Sequence, residues 1–213
     1  MEVRDLLFGD LTLDSWPDNT SANQASTEPW TTFITAKNQS DVGDAEAAKQ
    51  SLHKILAIDD LESRHYLQAW HFLRSLGEQP AAERAKRLYG VVVEVGLEEG
   101  VDIVAAYADH SARYYNYSGA GIVWEHPNES MDEIIEELLN AGQAVVDKIG
   151  PWEGVRPPPP PRGQARISML CPGGLHFGQA PYETLSRDPL GAPVLTAAFR
   201  LMQSLIATTE SSD

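Results

Sequence analysis

The chain is poor in cysteine, in cationic side chains and in long apolar runs. Its 213 residues include one Cys, so no internal disulfide can form and nothing indicates an oxidising compartment. No run approaches the roughly 20 apolar residues that cross a bilayer. The start of the chain is acidic, and its apolar stretch at 6–8 is too short for a secretory signal. We therefore expect a soluble, cytoplasmic protein that makes no membrane contact.

The scarcity of positive charge excludes one class of ligand. There are 16 Lys and Arg residues against 31 Asp and Glu, which gives a net charge of -15. Because proteins bind nucleic acids chiefly by neutralising phosphates with cations, we expect no nucleic-acid ligand. The hydrophobic content of 42% is sufficient for a folded core at this length.

The excess of acid is concentrated in one segment. Residues 91–150 contain 12 Asp and Glu but only 2 Lys and Arg. Such a surface is either a solvated face that keeps the protein in solution or a docking surface for a basic protein. Composition alone leaves both interpretations open.

Periodicity divides the chain into three parts. Residues 15–44 are rich in Ser, Thr, Asn and Asp without a sustained period, so 1–44 is predicted to be an irregular lead-in. In residues 45–90, apolar side chains recur at helical spacing and predict a subdomain of short helices. Residues 91–213 predict an α+β body that contains a proline-rich connector at 151–164. Its five consecutive prolines, 157–161, favour an exposed polyproline II segment.

The body has the predicted order βββ-α-ββ-α, in which helices pack on a mainly antiparallel sheet. The predicted strands cover 91–97, 101–108, 113–117, 165–171 and 175–180, and 119–121 is predicted to be a bulge or a turn before a strand-like segment at 122–124. In the first hairpin, the favoured register pairs Leu97 with Val101 and places Val93 opposite Ala105 on one face. Asn116, which lies between two Tyr residues, either satisfies a local backbone group or faces a ligand.

Two amphipathic helices complete the prediction. The first carries an apolar stripe from Met131 to Ile149, and Ser130 with Glu133 is typical of a capping box at its start. The second follows Asp188, which favours a helix N-terminus.

Cys171 and His176 are the candidates for nucleophilic chemistry. They flank a Pro-Gly-Gly turn, so a hairpin would bring the thiol near an imidazole base. The alternative is that Cys171 is a small apolar residue of the core. A small hydrolase-like enzyme that uses this pair is therefore the second hypothesis for function.

Two dyads, Asp109-His110 and Glu125-His126, carry the ligand types that zinc and iron prefer. If 113–124 is mainly one extended strand, the dyads lie about 40 Å apart, at ~3.3 Å per residue. We therefore expect no metal and no other cofactor.

The leading hypothesis is a non-enzymatic protein-binding module, an adaptor or an immunity-type inhibitor, that docks a basic protein. The predicted contacts are acidic and aromatic side chains of the 91–150 segment, namely Glu125, Glu129, Asp132, Glu136, Glu137, Tyr115, Tyr117 and Trp124. For the aromatic members, the alternative is cross-strand packing in the core.

Overall fold

The computed structural model describes residues 3–13 and 26–210. After a 3₁₀ helix at Val3–Leu7, the helices are α1 (Trp30–Asp41), α2 (Ala45–Leu56), α3 (Ser63–Ser75), α4 (Ala82–Ala85), α5 (Asp132–Val146), α6 (Tyr182–Leu185) and α7 (Gly191–Glu210). The strands are β1 (Gly90–Gly96), β2 (Val101–Tyr107), β3 (Ala112–Tyr115), β4 (Gly121–Trp124), β5 (Gln164–Cys171) and β6 (Gly174–Pro181). The predicted α+β fold class is confirmed.

All six strands form one antiparallel sheet in the order β4-β3-β2-β1-β5-β6. The β1–β2 pairing differs by one residue from the predicted register, because Gly96 pairs with Val101. The connecting loop therefore has four residues, and the Leu97 N–H donates to the Gly100 carbonyl at 2.8 Å. A shift of one residue exchanges the two faces of a strand. The prediction that Val93 shares a face with Ala105 is wrong.

Helices cover both faces of the sheet. On one face, α5 and α7 pack on apolar side chains of the central strands, a core that includes Val91, Val93, Val104, Ala106, Met169, Ile135, Leu138, Leu201 and Leu205. On the other face, the N-terminal segment and α3 contribute side chains to a smaller core with the strands. Its buried residues are Leu7, Phe8, Leu67, Val92, Ile103, Ala105, Tyr107 and Leu170. Burial on both faces explains why the central strands are apolar at successive positions.

The predicted irregular lead-in contains a helix. Trp30–Asp41 is α1, and its buried residues Phe33 and Ala36 pack with α2 and α3. The part of the lead-in at 1–2 and 14–25 lies outside the described residues. The helical region thus begins before residue 45, and α1 adds a third helix to the layer that α2 and α3 form.

The proline-rich connector is largely exposed, but its backbone is part of the fold. The Pro157 carbonyl accepts hydrogen bonds from Arg4 and Arg166, each at 3.1 Å. Both guanidinium groups also reach the carboxylate of Glu94, which is completely buried on β1. Three buried charges and the Pro157 carbonyl satisfy one another, so the connector closes this network over the sheet.

Helix α7 begins close to the predicted position. The Asp188 carboxylate accepts hydrogen bonds from the N–H groups of Leu190 and Gly191 at 2.9 and 2.7 Å, which satisfies donors that the first turn leaves free.

In the described ranges 3–13 and 26–210, no helix combines the length and the apolar character needed to cross a membrane.

Candidate functional site

The β3–β4 hairpin brings together two segments that the sequence analysis placed far apart. In its turn, the Asn116 side-chain oxygen accepts hydrogen bonds from the N–H groups of Ser118 and Ala120 at 3.0 and 3.1 Å, so the local-backbone interpretation of Asn116 is confirmed. Because Ala112 pairs with Trp124, the segments that precede β3 and follow β4 lie side by side at one end of the sheet. The predicted wide separation of the two His dyads is wrong.

His110 lies in the turn between β2 and β3, with a left-handed backbone at φ 58°. Its neighbour Asp109 fixes this turn to the start of α3. The Asp109 carboxylate accepts hydrogen bonds from the N–H groups of Ser63 and Ser111 at 2.5 and 2.9 Å, and the Asp109 N–H donates to the Ser63 hydroxyl at 3.1 Å. The His110 side chain, in turn, reaches α5, where its Nδ1 is 3.1 Å from Asp132 Oδ2.

Four side chains meet at the N-terminal end of α5: His110, His126, Asp132 and Glu136, which we call the His–Asp cluster. The two imidazole rings have centroids 5.5 Å apart. His126 Nε2 is 3.8 Å from Asp132 Oδ1, and His110 Nε2 is 3.4 Å from Glu136 Oε1. Asp132 Oδ1 is buried and has no hydrogen-bond partner. The carboxylates of Asp132 and Glu136 are one helical turn apart on α5, and both imidazoles lie close to them.

Helix α5 holds the two carboxylates in place because its opposite side is buried. Met131, Ile135 and Leu138 belong to the core that α5 and α7 form on the sheet. The predicted capping box is absent, since the helix begins one residue later than expected and the residue at the N-cap is Met131, with no side-chain cap. The first turn instead places Asp132 in the His–Asp cluster.

The five predicted acidic contacts, together with Glu133, form a surface that we call the acidic ridge, made of Glu125, Glu129, Asp132, Glu133, Glu136 and Glu137. It contains no Lys or Arg, and all of its members except Asp132 are exposed. Two members form ion pairs with arginines outside the ridge, Glu125 with Arg113 at 2.7 Å and Glu137 with Arg200 at 2.5 Å. Within the described part of the chain, Glu129 and Glu133 form no ion pair.

The predicted aromatic contacts do not form one surface with the ridge. Tyr115 is opposite Ile103 and packs on the face that α3 covers, whereas Trp124 packs on the face that α5 and α7 cover. Tyr117 is exposed at the other end of the sheet, where its N–H donates to Asp102 at 2.9 Å. The structure therefore places Tyr115 and Tyr117 away from the acidic ridge, whereas Trp124 directly precedes Glu125.

The acids of 91–150 also fall into more than one patch. Glu98, Glu99 and Asp102 lie near the β1–β2 turn, at the end of β2 remote from His110. A seven-residue strand separates the two ends by about 20 Å, at ~3.3 Å per residue. Glu94 is inside the protein and adds nothing to the surface.

Cys171 and His176 are neighbours in the β5–β6 hairpin but not an evident catalytic pair. Cys171 pairs with Gly174 and His176 with Met169, and the Cys171 thiol is directed at the Lys86 carbonyl at 4.0 Å. Burial raises the pKa of the Cys171 thiol to about 12 and lowers the pKa of His176. A thiolate nucleophile requires the opposite shift of the thiol, so the geometry favours a core residue.

A cleft of about 930 Å³ opens between the N-terminal segment, α3 and the connector. Its lining includes Arg4, Arg74 and Arg156, and the sequence analysis missed it because these residues are distant in the chain. Each guanidinium is engaged inside the fold: Arg4 with Glu94, Arg156 with Asp5 and Asp10, and Arg74 with the Pro172 carbonyl. Carboxylates inside the fold therefore balance the charges of Arg4 and Arg156, while Arg74 bonds a neutral carbonyl.

Comparison with protein-family models, with curated proteins and with solved structures finds no match for this chain.

Proposed function

We propose that the protein is a non-enzymatic binding module, an adaptor or an immunity-type inhibitor, that docks a basic protein on the acidic ridge. The observation that carries this proposal is the concentration of six acids within 125–137 without an intervening Lys or Arg. Like charges at this density repel one another and weaken folding, and a cationic partner would relieve that repulsion.

The position of the ridge supports this function. Glu133 is exposed in the first turn of α5, whose other side is in the core, and Glu129 is exposed in the segment just before that helix. A partner would therefore meet at least one carboxylate on a rigid element. Preorganised charge reduces the entropy lost on binding. It also accelerates encounter with an oppositely charged surface, by roughly 10- to 1000-fold.

The ion pairs inside the protein identify which residues to test. Glu137 is bound to Arg200, and Glu136 is part of the His–Asp cluster, so their replacement would also change the fold locally. Within the described residues, Glu129 and Glu133 form no ion pair, so their replacement leaves the ion pairs of the fold in place. The double reversal Glu129→Lys with Glu133→Lys is therefore the sharper test of docking.

The experiment begins with partners captured from the source cell by the immobilised full chain. For the strongest basic candidate, the association rate is measured by stopped flow at rising salt concentration. We expect the wild-type rate to fall steeply as ionic strength approaches about 0.1 M, where screening acts over roughly 10 Å. The ridge variant should associate at least about tenfold more slowly and depend less on salt.

A control variant separates the ridge from total charge. Glu99→Lys with Glu153→Lys makes the same change in net charge at exposed positions outside the ridge. Its association should remain close to that of the wild type. If the ridge and control variants have equal rates and equal salt dependence, the ridge is only a solubilising surface and the proposal fails.

A further inference from the structure

We propose that His110, His126 and Asp132 bind one divalent transition-metal ion, with Zn²⁺ as the best-fitting ion. One ligand atom from each residue lies within 4.8 Å of the other two. This inference is independent of the proposed docking function, because it depends on the chain alone.

The distances suit a metal ion of this size. Two ligands about 2.0–2.1 Å from a tetrahedral zinc ion lie roughly 3.4 Å from each other. In the His–Asp cluster, His110 Nδ1 lies 3.1 Å from Asp132 Oδ2, and His126 Nε2 lies 3.8 Å from Asp132 Oδ1. Only small side-chain movements would bring all three donors to bonding distance of one ion.

The donor types select the class of metal. Imidazole with carboxylate suits zinc and its neighbours among the divalent transition metals, whereas Mg²⁺ and Ca²⁺ prefer oxygen ligands alone. Two His and one carboxylate also leave a fourth position open on a tetrahedral ion. The fourth ligand would be water or a group of a partner.

Two further features favour a metal over a simple ion pair. The buried Asp132 Oδ1 has no hydrogen-bond partner, and a cation between the imidazoles would satisfy it. If His110 binds the metal through Nδ1, its Nε2 faces Glu136 at 3.4 Å. A carboxylate behind a ligating His is the usual outer partner in zinc sites, since it fixes the orientation of the ring.

The donors also sit on fixed elements. The Asp109–Ser63 hydrogen bonds hold the turn that carries His110, and the pairing of Ala112 with Trp124 sets the distance to the segment that carries His126. Asp132 is the first residue of α5. Three different elements therefore converge on one position, as preorganised binding requires.

The test is titration of the metal-stripped full chain with Zn²⁺ by isothermal calorimetry, with thermal unfolding measured in parallel. We expect one ion per chain, a rise in Tm with zinc, and neither effect with Mg²⁺. His110→Asn and His126→Asn should each lower zinc affinity by more than about tenfold, and Glu136→Gln should lower it about tenfold. Asn tolerates the left-handed backbone at position 110.

Controls keep the result interpretable. His53→Asn removes a His that faces only one carboxylate, Glu78, and should leave zinc affinity unchanged. Without metal, the far-UV circular dichroism of every variant should match the wild type. The ridge variant Glu129→Lys with Glu133→Lys should still bind zinc, so metal binding and docking can fail separately.

Two outcomes would overturn the proposal. One is the absence of zinc binding at one ion per chain in the wild type. The other is zinc binding that the His110→Asn and His126→Asn variants retain at wild-type affinity, since the ion would then occupy a different site.

Discussion

At the scale of single residues, the Cys171 thiol shows how burial decides chemistry. Its side chain is 2% exposed, and burial raises its pKa to about 12. We expect iodoacetamide to react slowly with the native protein at pH 8 and rapidly after unfolding in urea. The comparison is an exposed thiol introduced by Ser118→Cys in a Cys171→Ser background. If Cys171 and the thiol introduced at position 118 react at equal rates in the native protein, the result would support the enzyme hypothesis.

Two partly buried histidines, His65 and His71, make stability depend on pH. Burial lowers the pKa of His65, which packs between Trp30 and Phe33, and also lowers the pKa of His71. The folded state therefore takes up protons at lower pH than the unfolded state, whose His pKa is about 6.5. This contribution to stability is complete above pH 6.5 and is lost as pH falls toward the folded-state pKa.

The measurement is the free energy of unfolding in urea between pH 7.5 and pH 5.5. The wild type should become less stable over this range, and His65→Phe, which keeps an aromatic ring but cannot bind a proton, should lose less stability. A pH dependence that is identical in both proteins would show that His65 is not held neutral by the fold.

At the scale of elements, α5 packs on β1 through a glycine. A Cβ added at Gly142 would lie 2.5 Å from Val91 Cγ2 and 3.1 Å from Leu88 Cδ2. Val91 is completely buried and stiff at χ1, so it cannot move away. At an exposed position inside a helix, Gly→Ala raises the free energy of unfolding by about 1 kcal/mol. Here we expect Gly142→Ala to destabilise the protein by roughly 1–3 kcal/mol through overpacking.

The control is Asn140→Ala, an exposed position two residues earlier in the same helix. It should be neutral or slightly stabilising in urea unfolding. A stabilising Gly142→Ala would mean that α5 lies further from β1 than described.

The elements also show which features the sequence could predict. The α5 stripe and the Asp188 start of α7 were predictable, because each depends on residues within a few turns. The β1–β2 register was not, because Val91, Val92 and Val93 are all apolar and both faces are covered, so alternation carries no information. α1 was missed because only Phe33 and Ala36 are buried in its Thr-rich sequence.

The His–Asp cluster was missed for a similar reason. Its formation depends on the β3–β4 turn, and the sequence analysis estimated the separation of the dyads from one extended strand. The signal was present in Asn116, Ser118 and Gly119, since Asn, Ser and Gly within four residues favour a turn in which the Asn side chain binds the backbone. The sequence analysis left a bulge or a turn open at 119–121, and choosing the turn would have placed His110 beside His126.

At the scale of the whole molecule, the sheet connects the two helical layers. The α3 layer is tied to it by the reciprocal bonds of Ser63 with Asp109 and by the Tyr107 hydroxyl, which donates to the Leu7 carbonyl at 2.8 Å. Tyr107 is completely buried. Although the sequence analysis separated 45–90 from 91–213, these contacts suggest one cooperative unit.

We therefore expect both layers to unfold in a single transition. Single-Trp variants, with the other four Trp residues replaced by Phe, report on each layer: Trp70 lies among α1–α3, and Trp124 lies under α5 and α7. In each variant, the urea midpoint from Trp fluorescence should match the midpoint from far-UV circular dichroism. Adding Asp109→Ala, which removes the hydrogen bond that the Asp109 carboxylate accepts from the Ser63 N–H, should lower both midpoints together. If Asp109→Ala lowers only the Trp70 midpoint, the helical layer is an independent unit and the predicted division at residue 90 is a true domain boundary.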